Sequence, residues 1–194
     1  MPGAISPQKP ATVLARQTGE VTALALSPDG GVMASCAQNE DHAIKLWDTA
    51  TGRLLGSLPG HEAWVNDLAF SPDGQTLASA GSDDGWLGIW DVPHRRQRAL
   101  LRGHNGAVFK VAFSPDGATL ATCGDDATVR LWTVAQQREV AVLPAHGGAV
   151  KGMAFSPDGH WLASASNDGA IHLWHAPTFV EIEAAEKTKE GNGQ

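Results

Sequence analysis

The sequence predicts an all-β fold built from four repeated units, each a four-stranded antiparallel sheet. Three observations carry this prediction. The tetrapeptide Ser-Pro-Asp-Gly stands at 27–30, 71–74, 114–117 and 156–159, in steps of 44, 43 and 42 residues. A tryptophan closes each unit, at Trp47, Trp90, Trp132 and Trp174, in steps of 43, 42 and 42. Histidines at His61, His104 and His146 keep the same spacing, with steps of 43 and 42. Three independent markers holding one period define a repeat protein before any residue is read for chemistry.

The first ten residues, MPGAISPQKP, carry three prolines and no periodicity, and read as a flexible lead-in. Residues 11–16, ATVLAR, form a candidate outer strand. Residues 103–133 show the unit most plainly. Val108 to Phe113 has the length and apolar content of a strand. Ser114-Pro115-Asp116-Gly117 is a turn: Pro presets φ, Asp bonds its own backbone, and Gly supplies a positive φ. Thr119–Thr122 runs back as a second strand, and the turn at Asp125-Asp126 leads to an alternating third, Thr128–Trp132. Fourth, outer segments are legible at Arg53–Leu58, Arg98–Leu101, Glu139–Leu143 and Thr178–Glu183. Four short strands per unit without a helical period make a propeller blade the economical arrangement. The units run over about 17–59, 60–102, 103–144 and 145–183, and a polar tail follows at 184–194.

Three stretches resemble the repeats of the WD-repeat β-propeller family: Gly60-His61 to Trp90-Asp91, Gly103-His104 to Trp132-Thr133, and Ala145-His146 to Trp174-His175. The first unit ends in Trp47-Asp48, and the resemblance covers residues 17 to about 183. It implies a structural tetrad of His, Ser or Thr, Asp and Trp inside each blade. The matching residues are His61, Ser79, Asp84 and Trp90, then His104, Thr122, Asp126 and Trp132, then His146, Ser164, Asp168 and Trp174. The first unit supplies Ser35, Asp41 and Trp47, but Gln17 stands in the histidine position. The chemistry is reasonable on its own terms. A buried indole N–H needs an acceptor, and a carboxylate beside an imidazole fixes its tautomer.

The resemblance also implies partner-facing positions at the opening of the inner strand and just before the tetrad Asp. These are Glu20, Trp64, Ala107 and Ala149, then Glu40, Asp83, Asp125 and Asn167. Two tryptophans break the repeat pattern. Trp64 has Glu20, Ala107 and Ala149 as counterparts, and Trp86 has Ala43, Thr128 and Ala170. An aromatic anchor ringed by acidic groups suits a basic protein or peptide segment, while an edge-covering role for Trp64 is the simpler alternative.

Composition narrows the function classes. A net charge of −7 argues against binding duplex nucleic acid or an anionic membrane, and it suits either a basic partner or plain solubility. The start lacks a signal-peptide core, and no apolar run is long enough to span a bilayer. Cys36 and Cys123 share a position held elsewhere by Ala80 and Ala165, so they read as small, buried, free thiols in a reducing cytoplasm. The His, Asp and Ser or Thr set recurs once per unit, whereas a catalytic triad occurs once per site. The three histidines come from separate units and are expected too far apart to share an ion. No cofactor or metal is expected. Arg95, Arg96, Arg98 and Arg102 read as a solvated, charged edge strand, with an acidic or phosphate-bearing partner as the alternative.

The expected function is a non-catalytic protein–protein interaction scaffold. Alternatives are a regulatory or sensor propeller from a larger bacterial signalling protein, for example one with a Ser/Thr kinase domain, and a propeller hydrolase. The segment Leu173–Lys187 resembles the close of propellers in the former class. Propellers of this family commonly close with about seven blades, so four units pose a question of closure. The expectation is an open or partial propeller whose further blades come from a longer chain. A homodimer completing an eight-bladed ring, or a four-bladed ring clasped by residues 11–16, are the alternatives.

Overall fold

The computed structural model describes residues 13–38, 42–83, 85–144 and 146–175, and among these every regular element is a β-strand. Blade 1 comprises β1 (Glu20–Leu26), β2 (Val32–Gln38), β3 (Ile44–Asp48) and β4 (Leu54–Leu58). Blade 2 comprises β5 (Val65–Phe70), β6 (Thr76–Gly81), β7 (Trp86–Asp91) and β8 (Arg96–Arg102). Blade 3 comprises β9 (Val108–Phe113), β10 (Thr119–Gly124), β11 (Val129–Thr133) and β12 (Arg138–Leu143). Blade 4 comprises β13 (Val150–Phe155), β14 (Trp161–Ser166) and β15 (Ile171–His175). Each sheet is an antiparallel meander in chain order. The inner strands β1, β5, β9 and β13 touch in sequence, and the four blades form an arc that does not close.

The turns follow from their residues. In blade 1 the Ser27 hydroxyl donates to Asp29 Oδ1 at 2.6 Å, and Asp29 Oδ1 accepts the Gly31 amide at 2.9 Å. Ser27 N donates to Val32 O at 2.8 Å, closing the hairpin, and Gly30 sits at φ 72°. The same pattern recurs at Ser71, Ser114 and Ser156. An Asp that bonds its own turn and a Gly that takes the left-handed region are the features the tetrapeptide predicts. The turn after the tetrad Asp also needs a left-handed residue. Gly85 and Gly169 supply it freely, whereas His42 (φ 46°) and Ala127 (φ 62°) adopt it against their side chains.

The apolar residues do not gather into the one core that chain length suggests. They form three clusters, each between successive blades. Ile44, Leu46 and Leu58 of blade 1 meet Leu68, Leu77 and Trp90 of blade 2. Leu87 and Ile89 meet Val108, Val111, Leu120 and Trp132 of blade 3. Ala121, Cys123 and Val129 meet Val150 and Leu162 of blade 4. Polar links cross the same junctions: the Thr22 hydroxyl donates to Val65 O at 2.7 Å, Asn66 Nδ2 to Val108 O at 2.9 Å, and the Val111 amide to Asp67 Oδ2 at 3.0 Å. Cys36 and Cys123 are buried and free, and burial pushes both thiols up, Cys123 to about 12.

Residues 13–16 form no strand, so the described part of the 11–16 segment does not act as an outer strand. Leu14 instead lies against Gly52 in the β3–β4 turn. The lead-in at 1–10, the segment Thr178–Glu183, the tail at 184–194, and the site residues Glu40, Asp41 and Asp84 lie outside the described residues.

Candidate functional site

The blade interiors hold the polar chain that the sequence singles out, most fully in blade 3. Trp132 Nε1 donates to Thr122 Oγ1 at 2.9 Å, Thr122 Oγ1 lies 2.8 Å from His104 Nε2, and His104 Nδ1 lies 2.9 Å from Asp126 Oδ1. A carboxylate can only accept, so Nδ1 carries the proton; Nε2 then accepts from the Thr122 hydroxyl, whose oxygen takes the indole N–H. Burial holds the His104 pKa below its ordinary value against the pull of Asp126, so the ring is neutral. Burial also opposes ionisation of Asp126. Hydrogen bonds from His104, Thr128 and the Asn105 amide outweigh it and hold that carboxyl at about 2.

Blade 4 repeats the arrangement. Trp174 Nε1 donates to Ser164 Oγ at 3.0 Å, Ser164 Oγ is 2.8 Å from His146 Nε2, and His146 Nδ1 is 3.3 Å from Asp168 Oδ2. Amides of Ala170 and Gly147 hold Asp168 at about 2. In blade 2 Trp90 Nε1 donates to Ser79 Oγ at 2.8 Å, and His61 Nε2 lies 2.7 Å from the same oxygen. Blade 1 departs from the pattern. Trp47 Nε1 donates to Ser35 Oγ at 2.7 Å, and Ser35 Oγ to Gln17 Oε1 at 3.4 Å. Gln17 Nε2 is buried without a hydrogen-bond partner among the described residues. These hydroxyls are sealed inside the sheets: Ser79 and Thr122 have no exposed surface. A hydroxyl in that position cannot reach a substrate carbonyl, so the residues that mimic a triad tie the blades internally.

The surface positions gather along one rim. Ser82 N donates to Trp64 O, Asp125 N to Ala107 O and Asn167 N to Ala149 O, at 2.7–2.9 Å. In blades 3 and 4 the opening residue of the inner strand therefore sits beside the residue preceding the tetrad Asp, and in blade 2 Trp64 sits beside Ser82, the residue before Asp83. Glu20, Trp64, Asp83, Asp125 and Asn167 are all exposed, and Trp64 shows 43 % of its surface. Trp86 is different. It is half-buried, and the Arg102 guanidinium stacks 4.2 Å over its ring, a pairing across the β7–β8 ladder.

The arginine cluster is more than a solvated edge. Asp91, nearly buried at the end of β7, receives Arg96 Nε at 3.4 Å and lies 3.5 Å from Arg98 Nε. Arg98 Nη1 also donates to Thr76 Oγ1 at 3.1 Å. The hydrogen bond from His94, aided by the nearby Arg98, holds Asp91 at about 2. Sequence reasoning also missed Asp67, which joins Lys110 Nζ at 3.0 Å across the blade 2–3 junction. Its signal was the charge pair at one repeat position, Asp67 and Lys110, where Ala23 and Gly152 are neutral. Among the described residues no group of three His, Cys, Asp or Glu side chains converges as a metal site.

Repeated antiparallel meanders, packed face to face, each tied by a Trp–hydroxyl pair that a His extends in blades 2, 3 and 4, define a β-propeller repeat protein. The family is WD domain, G-beta repeat, and the chain belongs to it: the family model matches residues 8–48, 52–91, 95–133 and 137–175. Each matched repeat after the first spans the outer strand of one blade and the three inner strands of the next. A segment of 63 residues is 48 % identical to the CCR4-associated factor 4 homolog of Candida glabrata, covering 32 % of this chain and 11 % of that protein. One of 57 residues is 44 % identical to the U5 small nuclear ribonucleoprotein 40 kDa protein of Homo sapiens, covering 29 % and 15 %. The nuclear distribution protein PAC1 of Arthroderma benhamiae is 46 % identical over 54 residues, covering 28 % and 11 %. The matches thus span only a small part of these eukaryotic relatives. The solved structure of U3-55K superposes with a TM-score of 0.77 at 28 % identity, over 86 % of this chain and 52 % of that one.

Proposed function

We propose that the chain is a non-catalytic interaction scaffold whose acidic rim holds a basic peptide or protein segment. The observation that carries this reading is Trp64, a large aromatic residue left 43 % exposed and joined through its carbonyl to Ser82, the chain neighbour of Asp83, on a rim that also presents Glu20 and Asp125. An exposed aromatic anchor with acidic neighbours supplies buried contact area and draws positive charge. The net charge of −7 acts in the same direction at longer range. The tetrad hydroxyls, sealed under tryptophans, leave the repeated His and Asp groups with a structural role. Names of relatives such as the U5 small nuclear ribonucleoprotein 40 kDa protein describe members of assemblies, which agrees with a scaffold.

A random-peptide display selection tests this directly. Peptides rich in Lys and Arg should be enriched, binding should weaken steeply with salt, and Trp64→Ala should lose at least about tenfold in affinity, the loss of roughly 1.4 kcal/mol. Enrichment of neutral or acidic peptides, or equal binding by Trp64→Ala, would remove the rim from consideration.

A further inference from the structure

Every blade-to-blade junction uses the same repeat positions, so the two ends of the arc can be compared with their internal counterparts. On the face toward the preceding blade, Val65, Val108 and Val150 are 0–1 % exposed, whereas Val21 of blade 1 is 50 % exposed. Leu68 and Val111 are buried at the position where Leu24 is 61 % exposed. On the face toward the following blade, Ile44, Leu87 and Val129 are 0–1 % exposed, whereas Ile171 of blade 4 is 79 % exposed. Leu173 is likewise open where Leu46 and Ile89 are buried. Residue type hardly changes along these rows; only the missing neighbour does.

The turns tell the same story independently. A methyl added at Gly74 would sit 3.4 Å from Pro28 Cδ, at Gly117 3.3 Å from Pro72 Cδ, and at Gly159 3.5 Å from Pro115 Cδ. The glycine turn of each blade thus nests on the proline of the blade before. Nothing lies within 4 Å of that point at Gly30, and Pro157 is exposed. At the opposite rim, Gly85 faces Gly106 O and His104 O of the next blade, while the corresponding Gly169 faces open space.

The open faces are the two halves of one interface. Beside residues 13–17, blade 1 carries an apolar cavity of about 380 Å³ lined by Leu24, Met33 and Trp47. Their repeat counterparts Leu68, Leu77 and Trp90 receive Ile44 and Leu46 inside the arc. Ile171 and Leu173 are the matching residues at the other end. We infer that a second copy of this chain covers both ends, with Ile171 and Leu173 of each copy entering the Leu24–Met33–Trp47 cavity of the other and Pro157 seating on Gly30. The occupant follows from the three internal junctions, which show these surfaces mating, and from arc length. Two copies of the four-sheet arc supply eight blades, within the roughly four to eight of closed propellers. A head-to-tail contact whose rotation closes gives a ring, and one that does not gives a filament.

Sedimentation of the full chain over a concentration series, with small-angle scattering, tests the pairing. The expected species is twice the 20.3 kDa chain mass, ring-shaped in scattering. Leu24→Glu and Ile171→Glu should each sediment as monomers with unchanged circular dichroism, because both side chains are exposed in the single copy. Mixing the two variants should restore a pair, since one of its two junctions then holds only wild-type faces. A wild-type chain that stays monomeric, that grows into open-ended chains, or whose two variants fail to pair on mixing would overturn the inference.

Discussion

His104 and Asp126 show how one buried pair makes a blade depend on pH. Both groups have folded-state pKa values below their ordinary ones, so the unfolded chain binds more protons as the pH falls. The His104 contribution is complete above its ordinary value of about 6.5 and declines as the pH drops below it. The Asp126 contribution is complete above about 4 and is lost toward about 2. Stability is therefore expected to fall in two stages on the acid side. Asp126→Ala removes the acceptor of a buried imidazole and should cost about 1–3 kcal/mol or more at neutral pH. The gap between variant and wild type should narrow from about pH 4 toward about pH 2, because the unfolded wild-type chain then takes up a proton on Asp126 that the folded state does not bind. Urea unfolding of both proteins at several pH values measures this, and a gap constant down to pH 2 would remove Asp126 from the network.

At the scale of the element, the turn after the tetrad Asp carries the next prediction. Ala127 occupies φ 62°, a conformation that costs an L-residue with a Cβ about 1–2 kcal/mol. Gly85 and Gly169 hold the same place in blades 2 and 4. Ala127→Gly should stabilise by about 0.5–1 kcal/mol once the greater chain entropy of Gly is subtracted. That corresponds to a rise in Tm of roughly 1–4 °C for a chain of this size. Gly85→Ala should do the reverse, because it adds both strain and a contact 2.9 Å from Gly106 O. A lower Tm for Ala127→Gly would show that this turn is not strained.

Much of this was legible in the sequence, and the misses have a common cause. Strand bounds at β9, β10 and β12 fall within a residue or two of those read from apolar patterning and the Ser-Pro-Asp-Gly turns. The residues of the blade 3 and blade 4 tetrads were legible because four copies align one another. What a repeat comparison hides is whatever differs between copies. Arg102 over Trp86, and Arg96 and Arg98 on Asp91, depend on how β7 and β8 pair across a two-strand ladder. Residues 13–16 had outer-strand composition, but a strand also needs an edge to pair with. Along that stretch the chain instead packs Leu14 on Gly52.

The whole molecule is held by junctions rather than by a centre, and its stability should be graded accordingly. Every cluster joins neighbours only, which makes the arc quasi-one-dimensional. Blade 2 is clamped on both sides, and all six residues of β6 are buried. Blade 4 has one neighbour, and β14 is only partly covered, with Trp161 exposed. Local opening is easiest where few apolar contacts must break, so amides of β14 should exchange with solvent well before those of β6. The comparison belongs on Ile171→Glu, which leaves blade 4 without a second copy against it. Protection that is equal in β6 and β14 of that variant would mean that the blades open as one unit. In the wild-type chain, pairing adds a second neighbour to blade 4, and protection of β13–β15 should then rise with concentration while that of β6 stays level. The same measurement thus reads both the one-dimensional packing inside the arc and the junction that closes it.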